Sequence, residues 1–185
     1  MEYIHDLVRQ WSDKEKAAAI PFLLESAFEQ NVFQTFAGAA ITVPMEYCIL
    51  SESRTHILLF RRPHSDPVFP GMWHVSGSVQ KPKEESYEVW ERVRSGSKYG
   101  LLGARFFEPV EIGTQDTQKG IGYGECPRGQ ERNIIHAVTY VAGTIGYGKW
   151  FPLNDLPVKE ERPLLSHHER FIRSKLIPWV MTQQR

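Results

Sequence analysis

The chain has 185 residues, of which 41% are hydrophobic and 24% charged, and its 22 basic and 22 acidic residues cancel. That length is enough for one domain with a buried core, and the composition is typical of a soluble globular protein. The balanced charge argues against a nucleic acid or an anionic membrane surface as the partner.

The two cysteines, Cys48 and Cys126, lie far apart and form neither a C-x-x-C pair nor a zinc-binding spacing. We therefore expect a reducing compartment and a cytoplasmic protein. The first residues lack the basic and apolar regions of a signal peptide, and no apolar stretch is long enough for a membrane helix. We expect no membrane partner.

Residues 1–34 are predicted to form an N-terminal helical extension of two short helices. Ser12 and Asp13 offer an N-cap, an apolar stripe follows, and Pro21 should end or kink the helix. A stabilising extension packed on the main domain, residues 35–185, is the preferred interpretation. A lid or a dimerising role, and with it a homodimer, stays open.

Strand and helix signals alternate through the main domain. The predicted strands are Ala39–Val43, His56–Phe60, Trp73–Val75, Arg105–Ile112, Asn133–Val141 and Trp150–Leu153. Asn133–Val141 should be central, and Trp73–Val75 should lead into a turn at residues 76–78. The predicted helices are Glu84–Ser97, with an apolar face around Trp90, and Leu164–Val180. This order indicates an α+β domain, with a long loop over Gly113–Arg132 that is typical of a functional or mobile segment.

Residues 68–101 carry the most specific pattern. A small-residue turn is followed by a charged loop, an acid-rich helical segment and then Gly100 and Leu101. This order resembles the Nudix box, G-x5-E-x7-R-E-U-x-E-E-x-G-U, where U is aliphatic. The resemblance implies an α/β/α sandwich with a mixed sheet. It also implies a nucleoside-diphosphate-linked ligand and hydrolysis that depends on Mg²⁺ or Mn²⁺.

The box can be placed on the chain in two registers. In the first, Ser78 stands at the box glycine, Glu84 at the first glutamate and Arg92 at the arginine. The metal-binding glutamates then fall on Val93, Gly96 and Ser97.

The second register is aligned on Gly100 and Leu101, with Glu85 as the first glutamate and Val93 at the arginine. The metal-binding glutamates then fall on Arg94, Ser97 and Lys98. We favour this register because it keeps the glycine and aliphatic residue at the helix end. It costs one inserted residue in the loop Gln80–Lys83, where insertions are cheap.

Either register lacks the carboxylates that would hold the metal. Mg²⁺ prefers oxygen ligands in octahedral geometry, usually carboxylates and substrate phosphates. We therefore expect no usual box metal site and weak or absent pyrophosphohydrolase activity. The expected function is binding of, or action on, a nucleoside-diphosphate-linked or other phosphorylated small molecule.

Displaced acids keep an active hydrolase open as an alternative. Glu84, Glu88 and Glu91 follow a helical spacing that shares one face, and Glu85 lies beside them. Glu125 and Glu131 are candidates for a general base from outside the box. Mg²⁺ or Mn²⁺ is expected as a cofactor only if these acids form a site. Helix-dipole complementarity and surface ion pairing explain the same acids without function.

Cationic residues suggest direct recognition of phosphate. Arg94 and Lys98 share one face, where the second register places metal-binding glutamates, and Arg61 and Arg62 end a strand that borders the cleft in Nudix proteins. Trp73 is a candidate for base stacking or a cleft wall. The set of ligand-binding candidates is Arg61, Arg62, Trp73, Gly77, Arg94 and Lys98. A solvated surface is the alternative for each cation, and a regulatory or partner-binding module that does not catalyse stays open.

The histidines do not suggest a metal site. His136, within an apolar strand, is interpreted as a satisfied core residue, and His167 and His168 as helix-surface residues. Neither their spacing nor their pairing predicts a metal site with the cysteines.

Overall fold

The computed structural model describes Ser12, Lys14 and residues 40–81 and 83–183. The predicted helical extension, residues 1–34, therefore lies outside the described residues except at Ser12 and Lys14. No helix in the described part of the chain is long and apolar enough to span a membrane.

A mixed sheet of eight strands forms the middle layer. The strands are β1 (Pro44–Leu50), β2 (His56–Arg61), β3 (Trp73–His74), β4 (Ser76–Val79), β5 (Ala104–Phe106), β6 (Val110–Thr117), β7 (Glu131–Gly143) and β8 (Lys149–Pro152). β1 and β7 pair in parallel at the centre, and every other pairing is antiparallel. β2 and β4 flank β1, whereas β5 and β6 both pair with β7.

Helices cover both faces of the sheet. Helix α1 (Ser86–Ser95) covers one face with Val89, Trp90 and Val93. The other face lies under a continuous helical segment formed by α2 (Ser166–Phe171), a π-helical turn (Ile172–Leu176) and α3 (Ile177–Gln183). Pro178 lacks a backbone N–H, which accounts for a departure from α geometry in the turn before it.

Strand β1 shows how one element serves both cores. Met45, Tyr47 and Ile49 point towards α1, whereas Cys48 and Leu50 point towards the C-terminal helical segment. All seven residues of β1 are buried, because both faces of a central strand are covered. The predicted α+β class and α/β/α sandwich are confirmed.

Several predicted boundaries are wrong for local reasons. Of the strand predicted at Ala39–Val43, Ala39 lies outside the described residues, and residues 40–43 precede the first strand, which begins at Pro44. Proline is tolerated as the first residue of a strand. Residues 76–78 belong to β4, not to a turn, since they pair with β1. The strand predicted at Arg105–Ile112 is interrupted before Val110, where Pro109 precedes β6. Because β6 reaches Thr117, the predicted long loop shortens to residues 118–130.

Candidate functional site

A cleft of about 740 Å³ opens between the end of β2 and the chain that follows α1. Strands β2 and β3 contribute one wall, and the segments before β5 and before β8 contribute the other. It is lined by Phe60, Arg61, Arg62, Pro63, Asp66, Trp73, His74, Lys98, Tyr99, Gly146, Tyr147 and Gly148. Aromatic walls with a few cations are suited to a ligand that has a flat ring and negative charge.

Arg62 is already neutralised by Asp66. Its Nε and Nη2 donate to Asp66 Oδ2 at 2.8 and 2.6 Å, and Asp66 Oδ1 accepts from the N–H groups of Val68 and Phe69. Burial alone would raise the pKa of Asp66, but the hydrogen bonds from Phe69, Arg62 and Val68 outweigh burial and lower the pKa. This ion pair therefore shapes the cleft and adds no net positive charge.

Lys98 and Arg61 supply the accessible positive charge. Lys98 Nζ lies 4.8 Å from the centre of the Tyr99 ring and forms no ion pair with a described residue. Arg61 lies 4.8 Å from the Trp73 ring centre, and its Nη2 is 3.5 Å from Glu160 Oε2 across an exposed surface. Both cations can turn towards a phosphate at low cost, because exposed contacts of this kind contribute little.

The uncharged cleft residues are fixed by packing. The Trp73 indole donates to Glu160 at 2.8 Å and packs edge-on against Phe151. His74 is buried, and burial together with the charge of Arg62 holds its pKa well below the usual value, so the ring is neutral at pH 7. Tyr99 Oη donates to the Gly77 carbonyl at 3.0 Å. These residues form a preorganised wall.

Gly77, a predicted ligand-binding residue, is closely packed within the protein. A side chain there would collide with Glu46 and with the Met45 carbonyl. The glycine is required by internal packing, and it does not line the cleft.

The box loop and helix α1 are held together by one hydrogen-bonded unit. Arg92 donates from Nε and Nη2 to the two Glu84 oxygens, both at 2.8 Å, from Nη1 to Ser78 Oγ at 2.6 Å, and from Nη2 to the Val79 carbonyl at 3.2 Å. Ser78, Glu84 and Arg92 are the glycine, glutamate and arginine positions of the first register. Glu85 instead caps α1 through a reciprocal pair with Glu88. The contacts therefore favour the first register and correct our preference for the second.

The first register changes which residues stand at the positions of the metal-binding glutamates. The metal-binding positions become Val93, Gly96 and Ser97, none of which can offer a carboxylate. Val93 is only 4% exposed and belongs to the core beneath α1. In this register Arg94 and Lys98 do not stand at the glutamate positions of the box.

Arg94 and Lys98 occupy different surroundings. Arg94 Nη2 pairs with Glu91 at 2.6 Å, and Arg94 is not among the residues that line the cleft. Lys98 lies beyond the end of α1 and lines the cleft. The shared helical face predicted for the two cations is wrong, because α1 ends at Ser95.

The displaced acids do not converge. Glu84 lies before α1, so the predicted face shared with Glu88 and Glu91 is wrong. Each acid has its own local partner: Glu84 with Arg92, Glu85 with Glu88, Glu91 with Arg94, Glu125 with the Gly122 N–H, and Glu131 with Arg128. None of them lines the cleft.

A buried polar cluster, which the sequence analysis missed, lies on the sheet face under the C-terminal helical segment. It contains Glu46, Cys126, Arg128, Glu131, His167 and His168. His167 and His168 are 1% and 4% exposed, so their predicted surface position is wrong.

His136 is buried as predicted and stacks on Tyr47, but its Nδ1 has no hydrogen-bond partner, so it is not a satisfied core residue.

Glu46 is the most strongly perturbed acid of this cluster. Burial, followed by the charge of Glu131, raises its pKa to about 8. His168 Nδ1 accepts from the Val75 N–H at 3.2 Å, which leaves the proton of the neutral ring on Nε2, 3.9 Å from Glu46 Oε1. No sequence spacing could reveal this contact, since β1, β3 and α2 bring the groups together.

Several of the similar solved structures carry Nudix or MutT names. A MutT protein from Methanosarcina mazei Go1 matches with a TM-score of 0.54 and 18% identity, over 72% of this chain and 91% of that protein. A UDP-X diphosphatase matches with a TM-score of 0.52 and 14% identity, over 100% of this chain and 79% of that one. The NUDIX domain of Shewanella oneidensis NrtR, complexed with ADP ribose, matches with a TM-score of 0.50 and 16% identity, over 88% and 96%.

At these identities the likeness defines the fold. The chain has the Nudix fold, which agrees with the mixed sheet between helices. No family model and no curated protein matches this chain.

Proposed function

We propose that this chain is a Nudix-superfamily protein that binds a nucleoside-diphosphate-linked or other phosphorylated small molecule, with weak or absent pyrophosphohydrolase activity. The observation that carries the proposal is Lys98. Its ammonium lies at the aromatic cleft with no ion-pair partner among the described residues, while the metal-binding box positions hold no carboxylate. The protein's own cation then takes the place of a bridging metal in contacting phosphate.

Two of the similar structures support this ligand class. One is complexed with ADP ribose, and another is named a UDP-X diphosphatase. Both names refer to a nucleoside diphosphate that carries a further group. In the cleft of this chain, the Trp73 and Tyr99 rings offer surfaces for a base or sugar, and Lys98 and Arg61 offer charge for the diphosphate.

The dispersed acids argue against the alternative of an active hydrolase. Metal-assisted phosphoryl chemistry needs carboxylates that hold the ion and a base that faces the attacking water. Each predicted acid here is engaged locally and away from the cleft. We expect turnover of ADP-ribose or UDP-glucose near background with Mg²⁺ or Mn²⁺. The alternative would be supported by robust hydrolysis that decreases when one of these acids is changed to Gln: Glu84, Glu88, Glu91, Glu125 or Glu131.

The test compares Lys98, which lines the cleft, with Arg94, which does not. We expect Lys98→Met to weaken ADP-ribose binding in EDTA, measured by calorimetry, because a charge-assisted contact to phosphate contributes about 1.5–3 kcal/mol, or roughly 10- to 150-fold in Kd. Arg94→Met is the matched control and should bind within about twofold of the unmodified chain. Equal affinity of both variants and the unmodified chain would contradict the proposal.

A further inference from the structure

A second cluster of candidate ligands lies where the loop 118–130, the first residue of β7 and the beginning of α2 meet. Cys126, Glu131 and His167 each present one ligand atom here, and these atoms all lie within 4.8 Å of one another. The three side chains are nearly inaccessible, at 0%, 2% and 1% exposure. None of them lines the cleft described above.

Two polar atoms on these side chains are buried without hydrogen-bond partners. Glu131 Oε2 and His167 Nε2 form no hydrogen bond in the described structure. A buried polar atom left unpaired costs about 1–3 kcal/mol, so native proteins rarely leave two of them side by side. A shared partner that accepts both lone pairs would remove this cost.

The orientation of His167 suits an electron-pair donor. Its Nε2 is buried and forms no hydrogen bond with a described residue, so this nitrogen is free to bind an ion.

Arg128 determines which ion would be suitable. Its Nη2 holds Glu131 Oε1 at 2.6 Å, and Cys126 Sγ donates to the same oxygen at 3.5 Å, so Oε2 stays available. The guanidinium also repels a cation. That repulsion is the same for every divalent ion. Bonds to thiolate and imidazole can offset it for an ion that prefers these ligands, whereas Mg²⁺ prefers oxygen ligands only.

We propose that Cys126, Glu131 and His167 bind one thiophilic divalent ion of the Zn²⁺ class. Binding displaces the thiol proton of Cys126 to solvent and places thiolate, carboxylate and neutral imidazole on the ion. Three protein ligands leave one position of a tetrahedral ion for water. The ion links the loop 118–130 to β7 and α2, and its role is to hold these segments together.

The site is tested with Co²⁺ and Zn²⁺ on the EDTA-treated full chain under reducing conditions. We expect one Co²⁺ per chain, with thiolate-to-cobalt charge-transfer absorption, and a rise in unfolding temperature on adding Zn²⁺ but not Mg²⁺. Cys126→Ser should abolish the charge-transfer band. Cys48→Ser, which removes the other buried cysteine, should keep it.

His167→Gln and Glu131→Gln extend the test to the other ligands, and circular dichroism establishes that each variant is folded. Both should weaken Zn²⁺ binding at least tenfold. The proposal is overturned if the unmodified chain takes up Co²⁺ only in the millimolar range, or if the charge-transfer band survives in Cys126→Ser. Because none of the three ligands lines the cleft, ADP-ribose binding can fail while Zn²⁺ binding succeeds, and Zn²⁺ binding can fail while ADP-ribose binding succeeds.

Discussion

At the scale of single residues, Arg92 is the main connection between the box loop and α1. Its side chain is 32% exposed and Glu84 is 12% exposed, so the pair is sheltered but not fully buried. Arg92→Met removes the hydrogen bonds to Ser78, Glu84 and the Val79 carbonyl and leaves Glu84 without its cation. Discounted for solvent screening, we expect a loss of about 1–2 kcal/mol in the free energy of unfolding, measured with urea.

The stability that the Arg92–Glu84 pair contributes should depend on pH. The hydrogen bonds from Arg92 lower the folded-state pKa of Glu84 despite its partial burial, so its contribution is present above the unfolded-state pKa and is lost as the pH falls through the folded-state value. The stability difference between the unmodified chain and Arg92→Met should therefore shrink towards acid pH. Arg94→Met, whose pair with Glu91 is exposed, should change stability by less than about 0.5 kcal/mol. An equal effect of the two arginines would contradict this account.

For Glu46 we expect the contribution to the free energy of unfolding to depend on pH in the opposite direction. Burial raises its pKa from 4.5 to about 8, so the folded protein keeps it protonated while the unfolded chain ionises it. Its contribution is complete below pH 4.5 and is lost as the pH rises towards 8. The free energy of unfolding of Glu46→Gln minus that of the unmodified chain should increase by more than about 1 kcal/mol from pH 5 to pH 8. Urea unfolding at the two pH values measures this, and a constant difference would refute it.

At the scale of elements, the packing of α1 determines whether a glutamate can be introduced at the box positions of the first register. Val93 packs in the core beneath α1, whereas Ser97 is exposed beyond the end of the helix. Val93→Glu would bury an unpaired carboxylate, and we expect it to lower the free energy of unfolding by at least about 3 kcal/mol. Ser97→Glu should change it by less than about 0.5 kcal/mol. Stability is measured by thermal or urea unfolding. Equal stability of Val93→Glu and Ser97→Glu would show that position 93 tolerates a carboxylate and would contradict this account.

Elements whose signal is local could be predicted from the sequence. The apolar run at His56–Phe60 and the helical periodicity around Trp90 depend on neighbouring residues only, and both elements lie where they were predicted. β1 was misplaced because its burial on both faces removes the alternation that marks a strand. The start of β4 was mistaken for a turn because its pairing with β1 is a contact between distant segments.

The site could be predicted only in part for the same reason. Arg61 and Arg62 were proposed from the position of a strand end, Trp73 as a cleft wall, and Lys98 from the second box register; all four line the cleft. The separation of Lys98 from Arg94 depends on where α1 ends, which helical spacing does not reveal. Cys126, Glu131 and His167 are brought together by the packing of α2 on the sheet, so no short motif contains them.

At the scale of the whole molecule, the sheet lies between two helical layers, with α1 on one face and the C-terminal helical segment on the other. The cleft with aromatic walls opens beside the end of β2, and Lys98 and Arg61 bring positive charge to it. Under the proposed function, these cations contact a diphosphate with no ion between them. Affinity should therefore depend on salt, which screens Lys98 and Arg61, more than on divalent metal.

Calorimetric titration of the unmodified chain with ADP-ribose, in EDTA and then in Mg²⁺, tests this claim most directly. We predict binding in EDTA with a Kd that changes less than about threefold on adding Mg²⁺, and no detectable hydrolysis over the titration. Binding that appears only with Mg²⁺, or heat from steady turnover, would contradict a cleft that recognises diphosphate through its own cations.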